Sequence, residues 1–285
     1  MKGGCFNLRN SLFYYGYNRS NMQIEYNNCG LVLSGGGARG IAHIGVIKAM
    51  EEFEIHASHV SGTSMGAVVG SFYAAGLTTG AMVDFFKKVN LFSYKNYARK
   101  MPGFINPLVF HKYLEHCFEI DNFSCLKSKL YLATTNLLTG KGEIITQGQL
   151  IKAIMASAAF PGIFAPVEFN NQLYTDGGIT NNYPISILKP HCDFIIGSYV
   201  SPLKTITKKE LKTTMSVVNR VFHVLMYNLE EPYFNDANIF IMPEGLSNVQ
   251  LFNLKQVDAI MEAGYVAATE SIKKYIQQKE IIKNN

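Results

Sequence analysis

The sequence predicts an α/β fold of three layers, α/β/α, built around a mostly parallel central sheet. Three observations predict it. Short apolar runs such as Leu31-Val32-Leu33 end in glycine-rich turns, as buried parallel strands do. Helix-period segments follow those turns directly, giving the strand, turn, helix order of a βαβ unit. The chain has 285 residues, of which 48% are hydrophobic and 16% charged, enough for a sizeable core and too apolar for a disordered chain.

In chain order, residues 1–28 are rich in Asn, Tyr and Gly without a sustained period. They read as a poorly structured extension, able to dock through Phe13, Tyr14 and Tyr15, and Met22 is an alternative start. The main domain is expected over 29–200. Leu31–Leu33 is its first strand, followed by Ser34-Gly35-Gly36-Gly37-Ala38-Arg39-Gly40 and a helix carrying Ile41, Ile44, Val46, Ile47 and Met50. His56–Ser61 is a weak strand by propensity, placed by what flanks it. A helix of small residues through Ala75 follows, with Gly76 at its C-terminal cap, and then another from Thr79 to Asn90. Residues 91–110 interleave Phe92, Tyr94, Tyr97 and Phe104 with Lys95, Arg99 and Lys100, and read as a long, partly ordered flap. A short helix is expected from Phe110 to Phe118.

Leu130–Asn136 is a strand, with Glu143–Thr146 beside it after a Thr139-Gly140-Lys141-Gly142 turn. Gln149–Ala158 is a helix, Gln172–Thr175 a short strand running into Asp176-Gly177-Gly178, and Asp193–Val200 the clearest strand of all. From Ser201 the character shifts to a basic connector with Lys204, Lys208, Lys209 and Lys212. A helix through Val217, Val218, Val221, Leu225 and Leu229 follows, then a strand at Asn238–Pro243 and an amphipathic helix from Asn253 to Gln278. Residues 201–285 are expected to pack on the same domain.

The formal net charge of +5 is too modest for a nucleic-acid protein and favours an anionic membrane surface over a neutral one. Five cysteines, Cys5, Cys29, Cys117, Cys125 and Cys192, match no zinc spacing and suit free thiols in a reducing compartment. No apolar run is long enough to span a bilayer, and the N-terminus lacks the apolar stretch of a secretory signal. A cytoplasmic protein with peripheral contact at a membrane is the expectation, and no metal or cofactor is expected.

Chemistry concentrates in three places. Gly62-Thr63-Ser64-Met65-Gly66 has the form of a nucleophile elbow, in which Gly62 and Gly66 permit a tight reversal that exposes Ser64. On the pentapeptide alone, a strand-to-helix turn whose serine caps the helix is an equal reading. A serine hydroxyl needs a base and donors for the oxyanion formed on attack. Gly35, Gly36 and Gly37 offer backbone N–H groups beside a helix start, with Arg39 and Gly40 completing the loop. Gly35, Gly37 and Gly40 also match a dinucleotide fingerprint, but its ribose-binding acid would have to be Glu51, Glu52 or Glu54, not at a strand end. Asp176, at a strand end before Gly177 and Gly178, is the candidate base, against a plain Asp-Gly turn. Its carboxylate is weak unless burial raises its pKa. No histidine stands where a third catalytic member is expected.

In that order, the glycine loop, the elbow and Asp176-Gly177-Gly178 resemble the patatin-like phospholipase family over about residues 28–200. Ala153–Phe164 and Asn181-Asn182-Tyr183-Pro184 extend the likeness. The resemblance implies a Ser64–Asp176 dyad, an oxyanion hole from the glycine loop, and acyl-enzyme hydrolysis of phospholipid or other acyl-ester lipids without a metal. The alternatives are a lipid-binding module with a lapsed site and, ranked lower, a nucleotide-binding α/β protein.

Overall fold

The structure, a computed structural model, describes residues 24–89, 107–249 and 256–283. At its centre is β1 (Cys29–Leu33), buried along its whole length. A strand covered on both faces needs no polar alternation, hence its continuous apolar run. Its side chains still divide by the period of two. Leu31 and Leu33 enter the larger of two hydrophobic clusters and Val32 the smaller. In β7 (Phe194–Ser198), Phe194 and Ile196 oppose Ile195 in the same way.

By hydrogen-bond pairing the strands connect in the order β5 (Val167–Phe169), β6 (Gln172–Asp176), β3 (Lys129–Asn136), β2 (His59–Thr63), β1, β7 and β8 (Ile239–Ile241), with β4 (Lys141–Ile145) also paired to β3. The pairs joining β3, β2, β1, β7 and β8 are parallel. Those of β4, β5 and β6 are antiparallel. The mostly parallel sheet is therefore as expected. Strand β5 was not expected: three residues are too few to show a period.

The larger cluster is roofed by α1 (Ala42–Glu52), α2 (Met65–Ala75), α3 (Thr79–Lys88), α4 (Pro107–Glu115) and α5 (Leu150–Ser157), with the terminal helix α7 (Val257–Lys283) beside α1. The opposite layer is lighter. It consists of turns around Tyr183–Leu188 and a ring cluster in which Tyr183 meets Tyr199, Phe234 and Phe240 edge-to-face, joined by Tyr227 from α6 (Thr214–Glu230). Helices α1 and α7 touch through glycines: a Cβ on Gly264 would collide with the Ala42 carbonyl, and one on Gly45 with the Met261 carbonyl. Because backbone cannot yield as a side chain does, Gly264→Val should cost about 3 kcal/mol in urea unfolding. An unchanged midpoint would mean the two helices part freely.

Several boundaries differ from expectation. β2 forms over 59–63 rather than 56–61, because pairing of Gly30 to His59 through Leu33 to Gly62 fixes it against β1. The helix expected from Phe110 starts at Pro107, whose missing N–H and fixed φ suit a first turn, and ends at Glu115. The last helix runs over 257–283, later than expected. Most of the expected flap, at residues 91–106, lies outside the described residues, as do Phe13, Tyr14 and Tyr15. The described part of the N-terminal extension, from residue 24, is tied down: the Asn27 and Asn28 backbone N–H groups donate to Asp193 at 2.9 and 2.8 Å.

Candidate active site

Ser64 stands between β2 and α2 with φ 54° and ψ −122°, a backbone conformation that costs a non-glycine residue of order 1–3 kcal/mol. Its side chain makes no capping hydrogen bond to α2, which decides against the helix-cap reading. The turn is held from both sides. Its N–H donates to Ser157 Oγ at 3.1 Å, and that hydroxyl donates to the Ala133 carbonyl at 2.7 Å. Gly62 and Gly66 are needed for crowding: a Cβ on Gly62 would lie 2.6 Å from the Gly66 carbonyl oxygen.

Strand β3 brings Asp176 to this turn. Leu132 and Ala133 pair with β2 and with β4, so those two strands lie on opposite edges of β3. Thr134 to Asn136 pair with β4 and with β6, so β6 shares the edge used by β2. Thr63 is opposite Ala133 and Asp176 opposite Thr134. Two antiparallel strands thus end at adjacent positions of one edge, and the residues at their ends converge. Gly177 makes this approach possible, since a Cβ there would collide with the Ala133 carbonyl.

The Asp176 carboxyl is buried. Oδ1 accepts the Gly178 N–H at 2.8 Å. Oδ2 is buried and has no hydrogen-bond partner among the described residues. Burial raises its pKa to about 6, against the opposing pull of the Ser64 side chain and the Gly178 N–H. Ser64 is thus near enough to act on the carboxyl without a hydrogen bond of normal geometry to Oδ2. Such contacts are commonly loose before substrate binds.

The glycine loop continues from the end of β1 and lies beside the elbow: a Cβ on Gly35 would stand 3.0 Å from Ser64 Cβ. Gly35 does not offer a donor, contrary to expectation: its N–H is taken by the Asn182 carbonyl at 3.2 Å. The Gly36 and Gly37 N–H groups have no acceptor among the described residues. Gly37 has φ +56°, a conformation glycine adopts freely. Arg39 is turned to structure, its Nε donating to the Val249 carbonyl at 3.1 Å. Gly40 packs against Met65 without room for a Cβ. Glu51 and Glu52 lie in α1 and Glu54 just beyond it, before β2 begins, so none stands at the strand end that the dinucleotide reading needs.

His43 is fully buried, with Nδ1 2.9 Å from Ser198 Oγ and Nε2 2.8 Å from the Ser34 carbonyl. Burial lowers its pKa to about 4, so it is a neutral brace between the ends of β1 and β7. His223 bonds the Ser201 carbonyl at 3.0 Å. No hydrogen bond among the described residues joins a histidine to Ser64 or Asp176.

Two supporting residues had escaped the sequence reading. Ser157 braces the elbow as described. Glu230, at the end of α6, is buried and accepts the Asn182 N–H at 2.6 Å. Burial raises its pKa. Asn182 reaches on to the Gly35 carbonyl through Nδ2 at 3.4 Å, so Glu230 supports the loop through one intermediary. Its one sequence signal is that it is the sole acidic residue of α6.

Strand order, elbow and converging aspartate define a three-layer α/β protein with a serine turn, a buried carboxyl and a glycine loop at one sheet end. The chain belongs to the patatin-like phospholipase family, whose model matches residues 31–189. An uncharacterised NTE family protein of Mycobacterium tuberculosis is 25% identical over 276 residues, covering 88% of this chain and 47% of that protein. Lysophospholipase NTE1 of Yarrowia lipolytica is 31% identical over 178 residues, covering 56% of this chain and 12% of that protein. The chain thus spans about half the length of the mycobacterial relative and a small part of the yeast one. Among solved structures, VipD from Legionella pneumophila shares the fold with a TM-score of 0.57 at 14% identity, covering 88% of this chain and 67% of VipD.

Proposed function

We propose that this chain is a serine lipid acyl hydrolase, of phospholipase A, lysophospholipase or esterase type, that cleaves fatty-acyl esters through a Ser64–Asp176 dyad. The observation that carries it is the convergence on one edge of β3: a strained elbow serine meets a buried carboxyl whose pKa is about 6 and whose Oδ2 has no partner among the described residues. A carboxylate tuned this close to neutrality is a usable base.

In this mechanism Ser64 Oγ attacks the ester carbonyl carbon and its proton passes to Asp176 Oδ2. The carbonyl π pair moves onto oxygen, where the Gly36 and Gly37 N–H groups receive the negative charge. Collapse breaks the bond to the alkoxide, which takes the proton from Asp176 and leaves as the alcohol. Water then attacks the acyl-enzyme, Asp176 again takes the proton, and the fatty acid leaves as Ser64 recovers it. An alkoxide leaves more readily than an amine, so an aspartate serves where a protease uses histidine. Family membership and the lysophospholipase name of the yeast relative support a lipid substrate.

A fluorophosphonate probe tests the reading. The expected result is a single covalent label mapped to the peptide holding Ser64, with loss of short-ester hydrolysis in step with labelling. A chain that neither labels nor hydrolyses any acyl ester would instead be a binding module with a lapsed site.

A further inference from the structure

Helix α6 leaves a full apolar stripe in solvent. Val217, Val218, Val221, Leu225 and Leu229 are 43–57% exposed. At 100° per residue they share an arc of about 120°, and the stripe is about 18 Å long. The inward side is mixed: Glu230 bonds the Asn182 N–H and His223 the Ser201 carbonyl, while Phe222 and Tyr227 pack on Phe160 and Tyr199. An amphipathic helix ordinarily turns such a stripe to the core, and a contiguous exposed one marks an interaction surface.

We propose that this face of α6 seats the protein on an anionic lipid bilayer. Charge on the page selects that occupant. Between Ser201 and Glu231 stand Lys204, Lys208, Lys209, Lys212 and Arg220 against Glu210, the buried Glu230 and Glu231, so the basic charge is gathered at the N-terminal side of the helix. Lys208, Lys209 and Lys212 are exposed just ahead of the helix. An apolar face flanked by lysines is what an interfacial helix presents to lipid headgroups. No described helix is long and apolar enough to cross a membrane, so α6 lies along the surface. Position agrees. Met226 sits beside Gly178, within 3.3 Å of where a Cβ there would stand. Phe222 packs edge-to-face on Phe160 at 5.8 Å, next to Ala159, whose carbonyl accepts the Asp176 N–H. The helix therefore borders the Ser64–Asp176 site, and lipid held under it is close to that site. This proposal rests on reading that site as one that takes acyl lipids.

Flotation of the full chain with vesicles tests it. Wild type should float with phosphatidylglycerol-containing vesicles and weakly with pure phosphatidylcholine. Val221→Ser with Leu225→Ser should weaken binding at least about tenfold, with hydrolysis of a water-soluble short ester and thermal melting unchanged. Changing Lys208, Lys209 and Lys212 to Gln should erase the preference for anionic vesicles. Absence of wild-type flotation, or equal flotation of the Val221/Leu225 variant, overturns the proposal. So does a dimer in light scattering that the same variant dissolves, since the face would then belong to a second copy. Flotation without short-ester hydrolysis would leave the surface standing and remove the active-site reading instead.

Discussion

Asp176→Asn should lower kcat/KM for a short acyl ester by about 10²- to 10⁴-fold while the chain stays folded. The substitution preserves shape. Its amide oxygen can still accept the Gly178 N–H that now reaches Oδ1 at 2.8 Å. What it removes is the site that would take the Ser64 proton. Ser64→Ala should fall to the same floor, and the double variant should be no worse than the poorer single one, because two groups that handle one proton act as a unit. Losses that multiply would show that they act separately.

The same residue sets the pH dependence, with opposite signs for rate and stability. Only the ionised carboxyl can accept a proton, so kcat/KM should rise with pH through about 6 and level above it. For stability, the folded pKa lies above the ordinary 3.8, so the folded state holds the proton more tightly than the unfolded one. The carboxyl therefore carries no penalty below 3.8, loses stability as pH rises through 6, and then costs a constant amount of roughly 3 kcal/mol. Asp176→Asn should melt above wild type at pH 8 and converge with it near pH 4. His43, buried neutral, destabilises both proteins alike on the acid side. A variant that melts lower at pH 8 would mean that the charge is stabilised by something other than the groups described.

How much of this could be read from the residues depended on distance along the chain. Strand β1 and the turn at Ser64 are local: an apolar run, a pair of glycines and a helix of small residues each specify themselves. The ends of β2 and β6 bring together Ser64 and Asp176, 112 positions apart, and their meeting is set by β3, whose one edge serves both strands. Nothing in Leu130–Asn136 itself says that two partners will share that edge. Gly35 looked like a donor because glycines expose N–H groups, yet its N–H is spent on Asn182, a partner fixed only by tertiary packing. The orientation of α6 was hidden for a similar reason. Periodicity marks an apolar stripe but not which side the protein will cover, and the bonds of Glu230 and His223, with the packing of Phe222 and Tyr227, turn the stripe outward.

Gly66→Ala should damage fold and site together, by more than about 3 kcal/mol in urea unfolding and at least 100-fold in fluorophosphonate labelling rate. A Cβ on Gly66 would collide with the Leu33 carbonyl and stand 2.6 Å from that of Ser34. Both obstacles are backbone, at the point where β1 gives way to the glycine loop. Relief requires the start of α2 to move off the end of β1, and that motion carries Ser64 away from the Gly36 and Gly37 N–H groups. Gly140→Ala is the contrast. Gly140 has φ +70° but open space around it, so only the backbone preference is lost, about 1 kcal/mol, and labelling should not change. If Gly66→Ala labels as fast as wild type, the elbow and the loop are not coupled through this contact. If it loses both stability and labelling, the second glycine of the elbow does more than permit a turn: it sets the spacing between nucleophile and oxyanion donors, which no local reading of five residues can reveal.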